Sequence, residues 1–178
     1  MQYKTYYDSP LGKIILESDG DSLTVLKFER HRFYKEEKIT INNELNIFIK
    51  TKDWLDKYFN GENPSIKKLK FSPSGNEFRQ NVWKILCDIP YGKTTTYGSI
   101  AKQIADKMGK ESMSAQAIGN AVGHNPISII IPCHRVVGAN GSLTGYGGGI
   151  KNKVKLLELE NVDMSSLYVP TTTKGSAL

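Results

Sequence analysis

Apolar residues in the first thirty positions come in short alternating or continuous runs, at 2–7, 12–18 and 22–29. The breaks between them are Ser9-Pro10-Leu11-Gly12 and Asp19-Gly20-Asp21-Ser22. Short runs bounded by turn formers predict strands joined by hairpins, hence a small antiparallel sheet. The period then lengthens. Leu45, Phe48, Leu55, Tyr58 and Phe59 recur near helical spacing and Asn60-Gly61 supplies a stop, so a helix is expected over 44–59. Glu62-Asn63-Pro64-Ser65 and Ser72-Pro73-Ser74-Gly75 are polar and turn-rich, which places the division between two modules within 61–75. From 76 to 88, Phe78, Val82, Trp83 and Leu86 form one face of a helix that Pro90-Tyr91-Gly92 breaks. Thr96 is a natural N-cap for a second helix, with Ile100, Ala101 and Ile104 on one side. Beyond Met108-Gly109-Lys110-Glu111, either Ser112 or Ser114 caps a third helix running to about Val122. The β-branched run Ile127-Ser128-Ile129-Ile130-Ile131 reads as a buried strand ended by Pro132, which lacks an N–H for a ladder. Helix, turn, helix, strand and loop is the layout of a winged helix-turn-helix, with 114–123 as the recognition helix. The expected architecture is α+β: a small N-terminal antiparallel sheet with a helix over 1–72, a helical winged helix-turn-helix domain over 73–165, and a loose tail over 166–178.

Composition narrows the setting. The 178 residues are 39% hydrophobic and 24% charged, ordinary for a globular chain with a real core. No apolar stretch approaches the roughly 20 residues needed to cross a bilayer, so no membrane role is expected. The first residues lack the apolar centre of a secretion signal. Cys87 and Cys133 are then expected as reduced thiols in the cytoplasm, with Cys87 inside a helical pattern as a packing residue. The formal charge of +6 and a pI near 9.2 favour a polyanionic partner without naming it. The excess is +2 through residue 72 and +4 after it, and forms no dense basic block. The recognition helix carries no Arg or Lys: Ser114-Ala115-Gln116-Ala117-Ile118-Gly119-Asn120-Ala121-Val122-Gly123 is nearly all small. A major-groove reader presents long donors to base edges, whereas small residues allow the close backbone approach that a minor groove about 6 Å wide requires. Tight helix–helix packing accounts for small residues equally well, and the two readings are compatible on opposite faces.

The chemistry concentrates at Pro132-Cys133-His134-Arg135-Val136. A thiol fixed just beyond a buried segment, with an imidazole next in sequence, has the parts of a nucleophile and its base. Adjacency alone is weak evidence. A lone cysteine is most often a small buried hydrophobe, and neighbours on a strand point to opposite faces.

The wider pattern is more specific. Asn125-Pro126, then Pro132-Cys133-His134-Arg135-Val136, Gly141, Tyr146-Gly147-Gly148 and Leu156-Leu157-Glu158-Leu159-Glu160 together resemble the O6-alkylguanine-DNA alkyltransferases, or methylated-DNA–protein-cysteine methyltransferases. Phe78 to Trp83 and Ile89 to Ala101 are similar to the segments preceding that family's DNA-binding element. The resemblance is dense over residues 73 to 160 and faint before them. It implies an RNase H-like N-terminal module, and irreversible, single-turnover transfer of an alkyl group from a flipped-out O6-alkylguanine in double-stranded DNA to Cys133; O4-alkylthymine is left open as a second substrate. By the same resemblance His134 is the base, directly or through one water, and Glu160 orients it. Glu158, two residues away on the same helix, is the local rival. Tyr97 would donate toward guanine N3, Asn125 would hold the turn, and Val136 with Tyr146, Gly147 and Gly148 would line the base pocket. Thr96, Ala115, Gln116, Ala117, Gly119 and Arg135 would meet DNA.

Two departures stand out. Gln116 occupies the place of an arginine that fills the gap left by the flipped base in the best-known member from higher organisms, and Gly147 replaces a pocket serine. Some members bind zinc through N-terminal Cys and His, but here no Cys precedes residue 87 and only His31 does among histidines, so no metal is expected, and the single irreversible transfer that the resemblance implies needs no cofactor. His124 has no counterpart and reads as a surface or capping residue. The expected state is a monomer. Two other classes stay open: a non-catalytic protein that binds alkylated DNA, and a cysteine hydrolase, which would need an oxyanion hole and would turn over.

Overall fold

The computed structural model describes residues 1–171, and the expected tail beyond 171 lies outside the described residues. These residues form two compact units. One comprises Met1–Ser74 with Pro126–Ile130, the other Gly75–Asn125 with Ile131 onward.

In the first unit the predicted hairpins form. Strands β1 (Tyr3–Ser9), β2 (Gly12–Ser18) and β3 (Leu23–Phe28) pair antiparallel in sequence. The first turn closes through Ser9, whose hydroxyl accepts from Leu11 N at 3.1 Å, while Gly12 takes a φ of 117° that a side chain would strain. The second is an Asx turn, with the Asp19 carboxylate accepting from the N–H groups of Asp21 and Ser22. A two-residue strand, β4 (Thr40–Ile41), adds to β1 in parallel, so the sheet order is β3-β2-β1-β4. No apolar run announced β4. Helix α1 (Asn46–Phe59) buries Phe48, Thr51, Leu55 and Tyr58 and packs on β1 and β2. Phe48 and Leu55 there join Ile14, Leu16, Leu23 and Leu26 in a core closed to solvent.

Ile127–Ile131 is as buried as expected, but it is not a strand. Only Ile127 bridges, to Leu26, through Leu26 N to the Pro126 carbonyl (2.9 Å) and Ser128 N to the Leu26 carbonyl (2.8 Å). Those bonds tie Pro126–Ile130 to the first unit, although the sequence reading assigns them to the second. Ile130 N then bonds the Ser128 carbonyl at 2.8 Å around Ile129, whose φ is 70°. This is the rare γ-turn, a strained backbone for a β-branched residue. Continuous apolar character reports burial, and burial is satisfied here without a ladder.

The second unit is built on three capped helices. Asn76, Thr96 and Ser114 accept at the N-termini of α2 (Glu77–Cys87), α3 (Tyr97–Met108) and α4 (Ala115–Gly123). Of the two serines considered for the third cap, Ser114 is the one used. Trp83 of α2 is buried, and its indole donates to the Ala121 carbonyl at 2.9 Å, while Ile118, Ala121 and Val122 turn α4's apolar side inward. A Cβ on Gly75 would fall 2.5 Å from the Trp83 ring, so the turn before α2 requires glycine. Short strands β5 (Thr95–Thr96) and β6 (Val136–Val137) pair in parallel beside the helix-turn-helix. Helix α5 (Ile150–Leu159) contributes Leu157 to a cluster with Val137, Leu143 and Val162.

Residues 166–168, expected in a loose tail, are tied down. Leu143 N bonds the Tyr168 carbonyl (2.9 Å), and Tyr168 N bonds the Gly141 carbonyl (3.0 Å). A Cβ on Gly141 would meet the Ser166 carbonyl, so glycine is what lets this segment close.

Candidate active site and nucleic-acid interface

Two tight backbone features set the acceptor candidate. Cys133 N bonds the Ile131 carbonyl (2.8 Å) around Pro132 at φ −82°, ψ 64°, an inverse γ-turn. The chain continues as one 3-10 turn over Cys133–Arg135. Asn125 is buried, and its side-chain amide donates to the Ile131 carbonyl at 2.8 Å. It therefore clamps the turn that carries the thiol, the role the resemblance implies for it.

His134 and Glu160 meet as expected. His134 Nε2 lies 2.8 Å from Glu160 Oε1, with both side chains fully buried. The carboxylate can only accept, so Nε2 carries the proton and Nδ1 presents its lone pair. Nδ1 is buried and has no hydrogen-bond partner among the described residues. Burial holds the imidazole below its usual pKa despite Glu160, and the charges of Arg135 and Lys153 push it the same way. A neutral ring with an available nitrogen is a base. Glu160 is brought inward by the end of α5. Asn161 N bonds the Glu158 carbonyl and Val162 N the Leu157 carbonyl, both at 3.0 Å, with Asn161 left-handed at φ 55°. That is a Schellman motif, and the buried Leu157–Val162 pair accompanies it. Glu158 is exposed, which removes it as rival.

Arg135 corrects an expectation. Predicted to meet DNA, it is turned inward: Nε donates to Glu160 Oε2 (2.8 Å), Nη2 to Oε1 (2.9 Å) and Nη1 to the Ile89 carbonyl (2.7 Å). A buried carboxylate needs its remaining lone pairs met, and the planar guanidinium fits two of them at once. Burial would raise the Glu160 carboxyl, but hydrogen bonds from His134 and Arg135 hold it at about 2.

Tyr97 Oη donates to the Thr144 carbonyl at 3.3 Å. Burial, with the Cys133 charge adding to it, pushes its phenol up to about 12, so the ring stands near the thiol as a neutral donor. Val136 is fully buried and Tyr146 nearly so. Tyr146-Gly147-Gly148 forms a turn closed by Gly149 N on the Tyr146 carbonyl (3.0 Å), with the two glycines half-buried. Lys153 was not anticipated. It is wholly buried, with Nζ donating to the Val136 carbonyl (2.6 Å) and the Thr144 carbonyl (3.2 Å). Its signal lies in the α5 pattern, where it falls with Ile150 and Leu157 on the apolar stripe, a place lysine takes only with partners.

On α4, Ala115 and Gln116 are exposed and Ala117 and Gly119 half-buried, while Ala121 packs inward. A Cβ on Gly119 would meet nothing within 4 Å, so no internal packing demands glycine there. Thr96 has its hydroxyl engaged as the α3 cap. Cys87, expected as a core-packing residue, is half-buried on α2, its thiol pushed up to about 11 by burial and then by Asp88. His124 Nδ1 lies 2.8 Å from the Asn120 carbonyl at the C-cap of α4. Among the described residues no group of three or more His, Cys, Asp or Glu is arranged to hold a metal ion. Among the described residues no helix is long and apolar enough to cross a membrane.

A buried cysteine, a neutral imidazole next to it in sequence and a clamped carboxylate, on a helix-turn-helix scaffold, are the parts of a cysteine-nucleophile protein with a nucleic-acid-binding architecture. Comparison with known proteins refines it. Residues 77–162 match the family described as "6-O-methylguanine DNA methyltransferase, DNA binding domain", and residues 2–73 match its "ribonuclease-like domain". The chain belongs to the 6-O-methylguanine DNA methyltransferase family. It is 41% identical over 160 residues to a methylated-DNA–protein-cysteine methyltransferase of Haemophilus influenzae, covering 90% of this chain and 87% of that one. It is 44% identical over 160 residues to the Mycobacterium bovis protein of the same name, covering 90% and 92%. Among solved structures, Mycobacterium tuberculosis OGT in complex with DNA aligns with a TM-score of 0.79 at 43% identity, covering 89% of this chain and 92% of that one.

Proposed function

We propose that this protein repairs DNA by moving the alkyl group of O6-alkylguanine onto Cys133, once per molecule and without a cofactor. The observation that carries the reading is the fully buried His134–Glu160 pair, with its free imidazole nitrogen next in sequence to the cysteine. The lesion's alkyl carbon is out of reach inside the duplex, so the nucleotide is flipped out, at a cost of a few kcal/mol. His134 Nδ1 takes the thiol proton, directly or through one water. The thiolate attacks the alkyl carbon in line; the S–C bond forms as the C–O6 bond breaks, and the electron pair passes to the guanine ring. The proton taken up by His134 returns to the departing base, either directly or by way of the Tyr97 phenol, which gives its own proton and is reprotonated from the imidazolium, so thiol plus alkylguanine become thioether plus guanine. The thioether has no low-barrier return, which makes the protein its own expended reagent.

DNA is met from the minor groove by the small-residue face of α4, with Gln116 offering a neutral hydrogen-bonding side chain to the orphaned partner base. Open space around Gly119 supports close backbone approach by an outside surface. Val136 and Tyr146-Gly147-Gly148 line the base pocket. The protein acts as a cytoplasmic monomer.

Intact-protein mass spectrometry after incubation with O6-methylguanine duplex tests the reading. The expected result is one methyl per molecule on Cys133, and none on Cys133→Ser, which still binds the duplex. Binding with no mass change would instead mark a passive lesion-binding protein, and repeated product release a hydrolase; either overturns the proposal.

A further inference from the structure

Lys153 has no part in the mechanism above, yet among the described residues it is the one lysine in the set of largest fully buried side chains. An ammonium without solvent costs several kcal/mol unless its protons are met and a negative group lies near. Two of its protons are met by backbone, the Val136 carbonyl at 2.6 Å and the Thr144 carbonyl at 3.2 Å. Val136 follows the turn that carries the cysteine, and Thr144 O is also the acceptor for Tyr97. One nitrogen therefore joins the chain leaving the nucleophile to the loop that holds the phenol. The nearby negative group is Cys133 once ionised: its charge raises Lys153, while burial lowers that lysine to about 8.

We infer that Lys153 is a positioning residue for alkyl transfer, whose buried ammonium pins the Val136 and Thr144 carbonyls beside the acceptor and favours the thiolate of Cys133. The inference rests on the proposed function for its meaning, though not for its test. Coulomb coupling is reciprocal, so a thiolate that holds a proton on Lys153 has its own ionisation eased by that lysine. The same positive charge disfavours imidazolium at His134. Other ionisable groups here are Tyr97 on α3, Arg135 on the 3-10 turn and Glu160 at the end of α5. Arg135 and Glu160 neutralise one another through paired hydrogen bonds, and Tyr97 stays neutral across the working range. Among the described residues of the site, Lys153 is thus the cation not already matched by a carboxylate.

The test uses the full chain with Cys87→Ala, so that Cys133 alone reports. Iodoacetamide labelling is followed from pH 6 to 10 by mass spectrometry, with no DNA present. Lys153→Met is expected to raise the labelling midpoint by about one pH unit, roughly tenfold less thiolate at neutral pH, with labelling recovered at high pH. Lys153→Arg keeps a cation and should leave the midpoint near the parent's. Equal midpoints for the parent and Lys153→Met would overturn the inference. Should Lys153→Met not fold, the reciprocal measurement decides: the 13C-methylene signal of Lys153 should titrate at lower pH in Cys133→Ser than in the parent, and an unchanged titration overturns the inference. A parent that labels as described but takes no methyl from DNA would sink the proposed function while leaving the electrostatic role intact.

Discussion

At the residue scale the site depends on how one carboxylate is shared. Glu160 Oε1 lies 2.8 Å from His134 Nε2 and 2.9 Å from Arg135 Nη2, while Oε2 takes Arg135 Nε. The arginine keeps the carboxylate ionised, and the carboxylate in turn fixes the tautomer that aims a lone pair away from it. Glu160→Gln removes the charge but keeps the shape. Transfer is expected to slow by about 100-fold, the lower end of what a positioned base supplies. Buried Arg135 is left unneutralised, which should cost about 3 kcal/mol of stability. DNA affinity should hardly move, since the residue is buried. Single-turnover mass spectrometry, urea melts and fluorescence anisotropy read the three effects separately. Exposed Glu158→Gln serves as control; if it is the slower variant, the orienting carboxylate has been misassigned.

Elements differ in how openly the sequence declares them. Capped, amphipathic helices are stated by local residues: Asn76, Thr96 and Ser114 each accept the N–H three positions on, as their types predict. The Ile127–Ile131 run was misleading because an apolar run records burial, and here a single bridge and a γ-turn at Ile129 satisfy it. The meeting of His134 with Glu160 was legible through family likeness. The inward turn of Arg135 was not, because its partners at Glu160 and Ile89 are 25 and 46 residues away in sequence. Helix α4 tests the division of labour proposed for small residues. Gly119 is helical and has open space where a Cβ would go, so Gly119→Ala should stabilise the fold by about 0.5–1 kcal/mol. The same methyl would stand on the face given to DNA and should weaken duplex binding several-fold. Thermal melts and anisotropy on one variant must move in opposite directions; better binding alongside better stability would remove α4 from the interface.

For the molecule as a whole, the site's charges govern stability as well as chemistry. A net charge of +6 draws the protein to a polyanion in a salt-dependent way, but the buried charges set its response to acid. The sign follows from proton counts. Glu160 titrates at about 2 when folded, against an ordinary 4.5, so between those values the unfolded chain binds the proton and the folded chain does not. Its contribution is therefore full above about pH 4.5 and lost as pH falls toward 2, amounting to roughly 3 kcal/mol. His134 acts in the same direction, because a folded pKa held below 6.5 makes the unfolded chain the better proton acceptor as pH drops past that value. Because the chain forms two compact units, unfolding must be read from the one that holds the site. Trp83 lies in that unit and Trp54 in the other, so a Trp54→Phe background leaves a single reporter. Urea midpoints by Trp83 fluorescence should fall steadily from pH 7 to pH 3 in the parent. In Glu160→Gln the limb below pH 4.5 should flatten, and the stability gap between the two proteins should narrow toward pH 2. A gap that stays constant with pH would mean that the carboxylate is not held ionised by its neighbours, and the electrostatic account of the site would fail with it.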